Sequence, residues 1–471
     1  MGNVIVIGAG IAGLSAAYRI IELGYPRLIL LEASDCVGGL SRSIKRDGYT
    51  FDLGPHQIHT ENQVVIDFLK KVLKDDLMIV NKKASHLFLG RYLSYPLGIK
   101  DILFCLPLYI SFPCLLSFIK QTIKNLFIKK KEDSFETWII SHFGRKMYEV
   151  YFKPYTRKVW GKPPSELDAL CAKERVAVQN LLDVLMAAFS KRVARYKNHY
   201  HLPHSPYQKI FYYPKYGVGQ LSDRMIDFIR GKGGRIYLNN TVSSLVKDEN
   251  SYKVITKDGS VYQGDYVVST IPITQLKDML ESSDDRKKPK ETLEFRSITF
   301  LFLAVKKEII SDNHWIYFPD KDCLFQRVSE LKNFSPYLVP KGSSSVCVEI
   351  PCDYEDEVWN RDPKELYETV ITAMEQKRYL KREDVQNFWV AREKFAYPTN
   401  TISFISKLNA IKNYIDTFPN LYSIGRQGNF SYINIDDVML MGFKTAEQIV
   451  NNLNWSSRND RYIDDLKAML P

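Results

Sequence analysis

The run Val4-Ile5-Val6-Ile7, followed at once by Gly8-Ala9-Gly10-Ile11-Ala12-Gly13, leaves few folds open to this chain. Four consecutive β-branched residues read as a strand buried on both faces in a parallel sheet. The three glycines then have separate duties: Gly8 permits a tight turn, Gly10 lets the backbone approach a pyrophosphate, and Gly13 lets the next helix pack on the sheet. Ile11, Ala12 and Gly13 open that helix, whose unpaired N–H groups and positive dipole end point at the anion. Residues 14–23 continue it, Gly24 caps it, and Arg27-Leu28-Ile29-Leu30-Leu31 is a second buried strand. Glu32 ends that strand near the roughly 20-residue offset at which a carboxylate meets a ribose diol. A carboxylate there repels a 2′-phosphate, so the N-terminal unit is expected to hold a dinucleotide other than NADP.

Just past Glu32, Cys36-Val37-Gly38-Gly39-Leu40-Ser41-Arg42 sets a second glycine pair where backbone amides again approach phosphate oxygens. With it the segment resembles the two-dinucleotide-binding-domain flavoproteins, the group of amine oxidases, protoporphyrinogen oxidases and UDP-galactopyranose mutases. The resemblance implies FAD, held in part by Gly38, Gly39, Leu40 and Ser41. The stretch from Gly233-Gly234-Arg235 to Val242, with the return strand Asp265-Tyr266-Val267-Val268-Ser269, fits the same group. By resemblance, the backbone near Val242 faces the adenine.

A chain of 471 residues exceeds what one core usually supports, so two domains are expected. Nucleotide signatures occupy 1–88, 205–290 and 405–471. The expected fold is a Rossmann-type (GR2-like) α/β FAD-binding domain built from those pieces, with a discontinuous α+β substrate domain made from a helical insertion (89–204) and a sheet part (291–404). In the insertion, residues 133–142 and 169–196 repeat apolar residues at helical spacing. In the sheet part, 297–305 alternate like a strand, and Asp362-Pro363-Lys364-Glu365 starts a helix. The net charge of +11 favours anionic partners. Its basic residues are dispersed and form no recognised nucleic-acid module, so nucleic acid is not expected. Seven cysteines with no C-x-x-C and no metal-ligand spacing, and a chain that enters a strand at once, point to a reducing cytoplasm and no metal. Residues 102–119 are nearly all apolar, with Lys120, Lys124, Lys129, Lys130 and Lys131 close behind. Pro107 and Pro113 argue against a spanning helix. Two readings of 102–131 stay open: helices packed on one another, or shallow peripheral contact with the inner face of a membrane.

Further motifs resemble the UDP-galactopyranose mutases in particular. Gly54-Pro55-His56-Gln57-Ile58-His59-Thr60 is similar to the mutase loop that lies against the flavin, which places His56 beside the ring and leaves His59 to support the loop. Tyr155-Thr156-Arg157-Lys158-Val159-Trp160-Gly161 resembles the run whose tyrosine and tryptophan line the nucleotide-sugar pocket. Arg175 stands near a phosphate-binding arginine of the family, although Gln179-Asn180-Leu181-Leu182 departs from the pattern that follows. Phe325-Gln326-Arg327-Val328-Ser329-Glu330 resembles the stretch whose arginine grips the substrate pyrophosphate, and a guanidinium's planar paired donors suit a diphosphate. Tyr397, in Tyr397-Pro398-Thr399-Asn400, stands as a hydroxyl donor to phosphate. Finally, Gly425-Arg426-Gln427-Gly428-Asn429-Phe430-Ser431-Tyr432-Ile433-Asn434-Ile435-Asp436 resembles the mutase C-terminal run, with Gly425, Arg426 and Asp436 toward the flavin and Tyr432 and Asn434 toward substrate. Asn434 departs from the aspartate of bacterial mutases.

Taken together, the resemblance implies interconversion of the pyranose and furanose forms of a nucleotide sugar, reduced flavin N5 attacking the anomeric carbon without net redox, with NAD(P)H as an external reductant. A rival is an FAD oxidoreductase like the protoporphyrinogen or amine oxidases, because Tyr212-Tyr213-Pro214-Lys215-Tyr216-Gly217-Val218-Gly219 resembles that branch equally. A flavin-binding scaffold without catalysis is the third reading.

Overall fold

The computed structural model describes residues 2–97, 101, 105–128, 131–173, 176, 209–249, 251–281 and 288–468, with the backbone alone for 454–468. Its centre is a five-stranded sheet in the order 421–423, 266–269, 4–7, 28–31, 235–237, every neighbouring pair parallel. Val4–Ile7 is fully buried because alternate side chains serve two cores. Val4 and Val6 face the helices Ile11–Glu22 and Ile435–Ala468, whereas Ile5 and Ile7 face the small sheet containing Val242–Lys247 and Tyr252–Thr256. A Cβ on Gly13 would stand 2.0 Å from the Gly8 carbonyl oxygen, so only glycine lets the first helix lie this close to the strand end. This is the Rossmann-type nucleotide fold expected from the sequence.

Beside it stands a seven-stranded mixed sheet whose long central strand is Phe295–Val305. The strand expected over residues 297–305 lies within it, and every residue from Arg296 onward is buried. Ile298, Phe300 and Phe302 face the helical layer, while Leu301, Leu303 and Val305 face the helix Pro363–Gln376. Asp362 caps that helix as expected, accepting from the Lys364 and Glu365 amides. The hairpin Ala84–Phe88 and Arg91–Ser94 extends the far edge of this sheet through parallel pairing with Trp315–Tyr317.

The helical layer holds Leu108–Phe127, Phe135–Phe143 and a continuous run from Arg145 to Trp160 that widens into a π-turn at Tyr148–Phe152. Pro113, expected to break the apolar stretch, sits inside Leu108–Phe127. Near the start of the helix its missing N–H removes a single bond, to the Tyr109 carbonyl. Of the helix expected at 169–196, residues 169–173 and 176 are described and include the helix Leu170–Lys173, whereas Arg175 falls outside the described residues. Among the described residues no helix is long and apolar enough to cross a membrane.

Asp52 ties the layers together. Its fully buried carboxylate accepts from Ser43 Oγ at 2.5 Å, from the Val218 amide at 3.2 Å and from the Tyr213 hydroxyl. Burial pushes this carboxyl up to about 6, against the pull of those three donors. An acid that binds its proton more tightly when folded contributes stability that is complete below the unfolded value near 4 and lost as pH rises through about 6. Asp52→Asn removes the titration, so its deficit in melting temperature against the parent is expected to shrink as pH rises from about 4 to about 6. A deficit that stays constant over that range would show that burial does not govern this carboxyl.

Candidate functional site

The dinucleotide cradle is assembled from three loops. Glu32 turns back to accept from the Ala9 amide at 2.6 Å and from Ser34, which fixes the turn after the first strand. The Gly38 amide donates to the Ala9 carbonyl at 2.8 Å, and a Cβ on Gly39 would stand 3.2 Å from the Gly10 Cα. Thus the two glycine pairs, far apart as motifs, form one surface. The third loop arrives from the C-terminal run, where a Cβ on Gly425 would stand 2.7 Å from the Ala12 Cβ.

Two observations fit a bound dinucleotide at this surface. A Cβ on Gly10 would meet nothing within 4 Å, although Gly10 begins the helix and its neighbours are tightly packed. Arg426 has its Nε and Nη2 buried without a hydrogen-bond partner. Leu40 and Ser41 form a short turn after the second glycine pair, and Ser41 Oγ lies 3.5 Å from His56 Nδ1. His56 Nε2 is 2.9 Å from the Leu53 carbonyl, so this nitrogen carries the proton and donates, leaving Nδ1 as an acceptor. Burial, reinforced by the charges of Arg426 and Arg327 and opposed by the Leu53 bond, pushes His56 down to about 4. The ring is neutral at physiological pH. His59 packs edge-on to Phe211 and reaches the Ile210 carbonyl at 3.2 Å, bracing the same loop. Val242 lies buried at the start of its strand, in the core it shares with Ile5 and Ile7.

Next to His56 the seven-stranded sheet contributes a cation held by a carboxylate. Arg327 and Glu349 face each other across an antiparallel pair of strands. Their side chains join through two bonds, Nε to Oε1 at 2.6 Å and Nη2 to Oε2 at 2.7 Å. Gln326 and the Tyr397 hydroxyl both donate to Glu349 Oε2 at 3.3 Å. Burial opposes the Arg327 charge, and Glu349 together with Tyr397 and Tyr317 more than restores it. One edge of the guanidinium is thus occupied, and the edge carrying Nη1 faces away from the carboxylate.

Aromatic rings connect this cation to the remaining motifs. Arg327 stands over Tyr317 at 5.7 Å, and Tyr155 meets Tyr317 edge-on at 6.4 Å. Trp160, 4% exposed, packs edge-on against Tyr397 at 6.2 Å, and Tyr397 lies 5.7 Å from Tyr432. Arg426 then covers Tyr432 at 4.2 Å and Tyr397 at 5.1 Å. Lys158, on the helix that carries Tyr155 and Trp160, donates to the Phe318, Asp320 and Phe325 carbonyls and so anchors the loop leading to Arg327. Asn434 directly precedes the helix Ile435–Ala468, and its carbonyl accepts from Val438. Asp436 and Asp437 occupy the first turn of that helix, so its positive end already meets negative charge.

Sequence reasoning did not single out Glu349, Gln326 as a partner, or Tyr317. For Glu349 a signal was present, a lone carboxylate inside the apolar run Val346-Cys347-Val348-Glu349-Ile350. A charge in a strand buried on both faces requires a partner.

A family model described as flavin containing amine oxidoreductase matches residues 11–449. A probable UDP-galactopyranose mutase of Klebsiella pneumoniae is 28% identical over 181 residues, 36% of this chain and 44% of that protein. The match therefore spans less than half of the mutase. Coproporphyrinogen III oxidase of Staphylococcus aureus is 21% identical over 476 aligned positions, 96% of this chain and 99% of that protein. Among solved structures, a reduced UDP-galactopyranose mutase has a TM-score of 0.83 at 24% identity and covers 96% of each chain. Putrescine oxidase bound to putrescine has a TM-score of 0.63 at 16% identity, covering 96% of this chain and 99% of its own. The structural likenesses show a shared fold.

Proposed function

Because the chain belongs to the flavin containing amine oxidoreductase family, we propose that it binds FAD and acts on a nucleotide sugar, interconverting pyranose and furanose rings in the manner of the UDP-galactopyranose mutases. The observation that carries this reading is the convergence of Arg327, Tyr397, Trp160, Tyr155, Tyr432 and Arg426 into one connected cluster beside the His56 loop. These residues come from four separate segments of the chain.

When bound and reduced, FAD supplies an electron pair at N5 toward the anomeric carbon. The protein's own part is positioning and charge. Arg327 offers its outer edge to the diphosphate, while Glu349 fixes the plane of the guanidinium so that little side-chain freedom is lost on binding. Tyr397 stands within reach of the same anion, and Tyr155 and Trp160 offer flat walls to a base or sugar. His56, neutral and with its proton on Nε2, presents Nδ1 as an acceptor next to Ser41. Since Asp436 and Asp437 offset the helix end, negative charge on the flavin falls to Arg426, whose Nε and Nη2 await an acceptor. In this reading the pieces 1–88, 205–290 and 405–471 form the cofactor unit and 89–204 with 291–404 the substrate unit, apart from Ala84–Phe88, which pairs with Trp315–Tyr317 in the seven-stranded sheet.

A second reading, oxidation of a porphyrinogen or amine, is favoured by the full-length match to the coproporphyrinogen oxidase. The two separate in one assay. Protein reduced with dithionite or NAD(P)H is incubated with UDP-hexoses, and the nucleotide sugars are resolved by chromatography. The proposal expects ring-size conversion by the reduced protein only. Peroxide release with an amine or porphyrinogen, and no such conversion, would replace it with the oxidase.

A further inference from the structure

The helix Leu108–Phe127 is amphipathic in the inverted sense. The residues it buries are Ser111, Cys114 and Gln121. It is attached to the body by Cys114 and Ile110, which pack into the apolar core behind it, and by polar contacts: Asn125 Nδ2 donates to the Ser141 carbonyl at 2.9 Å, and Ser117 Oγ accepts from the Lys146 amide at 3.0 Å. The apolar side chains Leu108, Phe112, Leu116, Ile119, Ile123 and Phe127 face out, with Leu108 78% and Phe127 82% exposed. At about 100° per residue these six fall within an arc of about 100°. Lys120 and Lys124, both exposed, follow at its margin, and the buried residues lie on the opposite side. A helix of 20 residues is about 30 Å long, so this is a continuous apolar strip along one side of the molecule.

We infer that this strip docks the protein onto an anionic lipid leaflet, with the helix lying in the plane of the interface. Charge selects this occupant over a second copy of the chain. Residues 102–131 contain five lysines and no acidic residue; of these Lys131 pairs with Asp133 at 2.8 Å, while Lys120 and Lys124 stand exposed on the helix. Arg91, exposed, adds a cation near the other end, donating to the Cys105 carbonyl at 3.0 Å. A two-fold interface would set lysines against lysines if the helices ran parallel, and the lysine end of each copy against the Arg91 end of the other if they ran antiparallel, cation against cation in both cases. Anionic headgroups neutralise them, each basic residue near the surface contributing favourably, while the apolar side chains enter the boundary beneath.

The test is co-sedimentation of the full chain with phosphatidylcholine vesicles, with and without phosphatidylglycerol. The inference expects binding that depends on phosphatidylglycerol and weakens as salt screens the lysines. Phe112→Asp with Leu116→Asp is expected to abolish binding. Lys120→Glu with Lys124→Glu, which leaves the apolar strip intact, is expected to weaken it at least about tenfold. Both double variants should keep the parent's flavin content and melting temperature, since the altered side chains are exposed. Wild-type protein that stays in the supernatant with every vesicle overturns the inference. So does an apolar-strip variant that pellets like the parent, or sedimentation showing a dimer that this variant dissociates without any vesicle binding. None of these readouts depends on ring-size conversion, so the docking surface and the proposed reaction stand or fall separately.

Discussion

Arg327→Ala is expected to lower kcat/KM for a UDP-hexose by about 10²–10³-fold, the usual cost of removing a preorganised donor from a developing anion. The same change leaves Glu349, 1% exposed, without the guanidinium that pairs with both of its oxygens. Removing one partner of a buried pair costs about 3–5 kcal/mol, so the melting temperature falls as well. The two effects separate through Arg327→Ala combined with Glu349→Gln. Neutralising the stranded carboxylate restores stability, but the diphosphate still lacks its donor and activity stays low. Arg327→Lys keeps the charge and loses the planar fork, so it recovers only part of the rate. Recovery of activity in the double variant would show that Arg327 serves the fold and not the substrate.

That pair also shows where reading the sequence stopped. Arg327 was legible because its neighbours repeat a family pattern. Glu349 was not, because its role depends on the register between two strands about twenty residues apart in sequence, which no local pattern encodes. The Rossmann unit was legible for the opposite reason. Its strand, turn, helix and acidic end lie within Val4 to Glu32, and each residue acts on near neighbours in sequence. In the second domain, alternation in Phe295–Val305 marked a strand but not the second layer that buries its other face. Pro113 argued against a spanning helix, and Leu108–Phe127, which carries it, is not one; a proline early in a helix removes little, so the helix itself forms.

The second large effect concerns the cofactor. Gly10 has φ −71° and ψ 176°, an extended conformation open to any residue, and a Cβ there meets no protein atom within 4 Å. Gly10→Val is therefore expected to fold, giving the circular dichroism of the parent apoprotein, while flavin in the purified protein drops from near-stoichiometric to trace. The added methyl groups fill the space through which the backbone approaches the pyrophosphate. Gly13→Ala is the contrast. Its Cβ would meet the Gly8 carbonyl oxygen at 2.0 Å, so this variant loses the fold together with the flavin. Flavin retained by Gly10→Val at the parent's level would mean that the cradle serves some other purpose.

At the centre of the account is a diphosphate held by Arg327 within reach of the flavin. Titrating UDP into the flavin-loaded protein while recording the visible absorbance of the cofactor tests it most directly. The account predicts a saturable change in the flavin spectrum that Arg327→Ala shifts to concentrations at least about tenfold higher. A spectrum indifferent to UDP, but perturbed by an amine or a porphyrinogen, would contradict it.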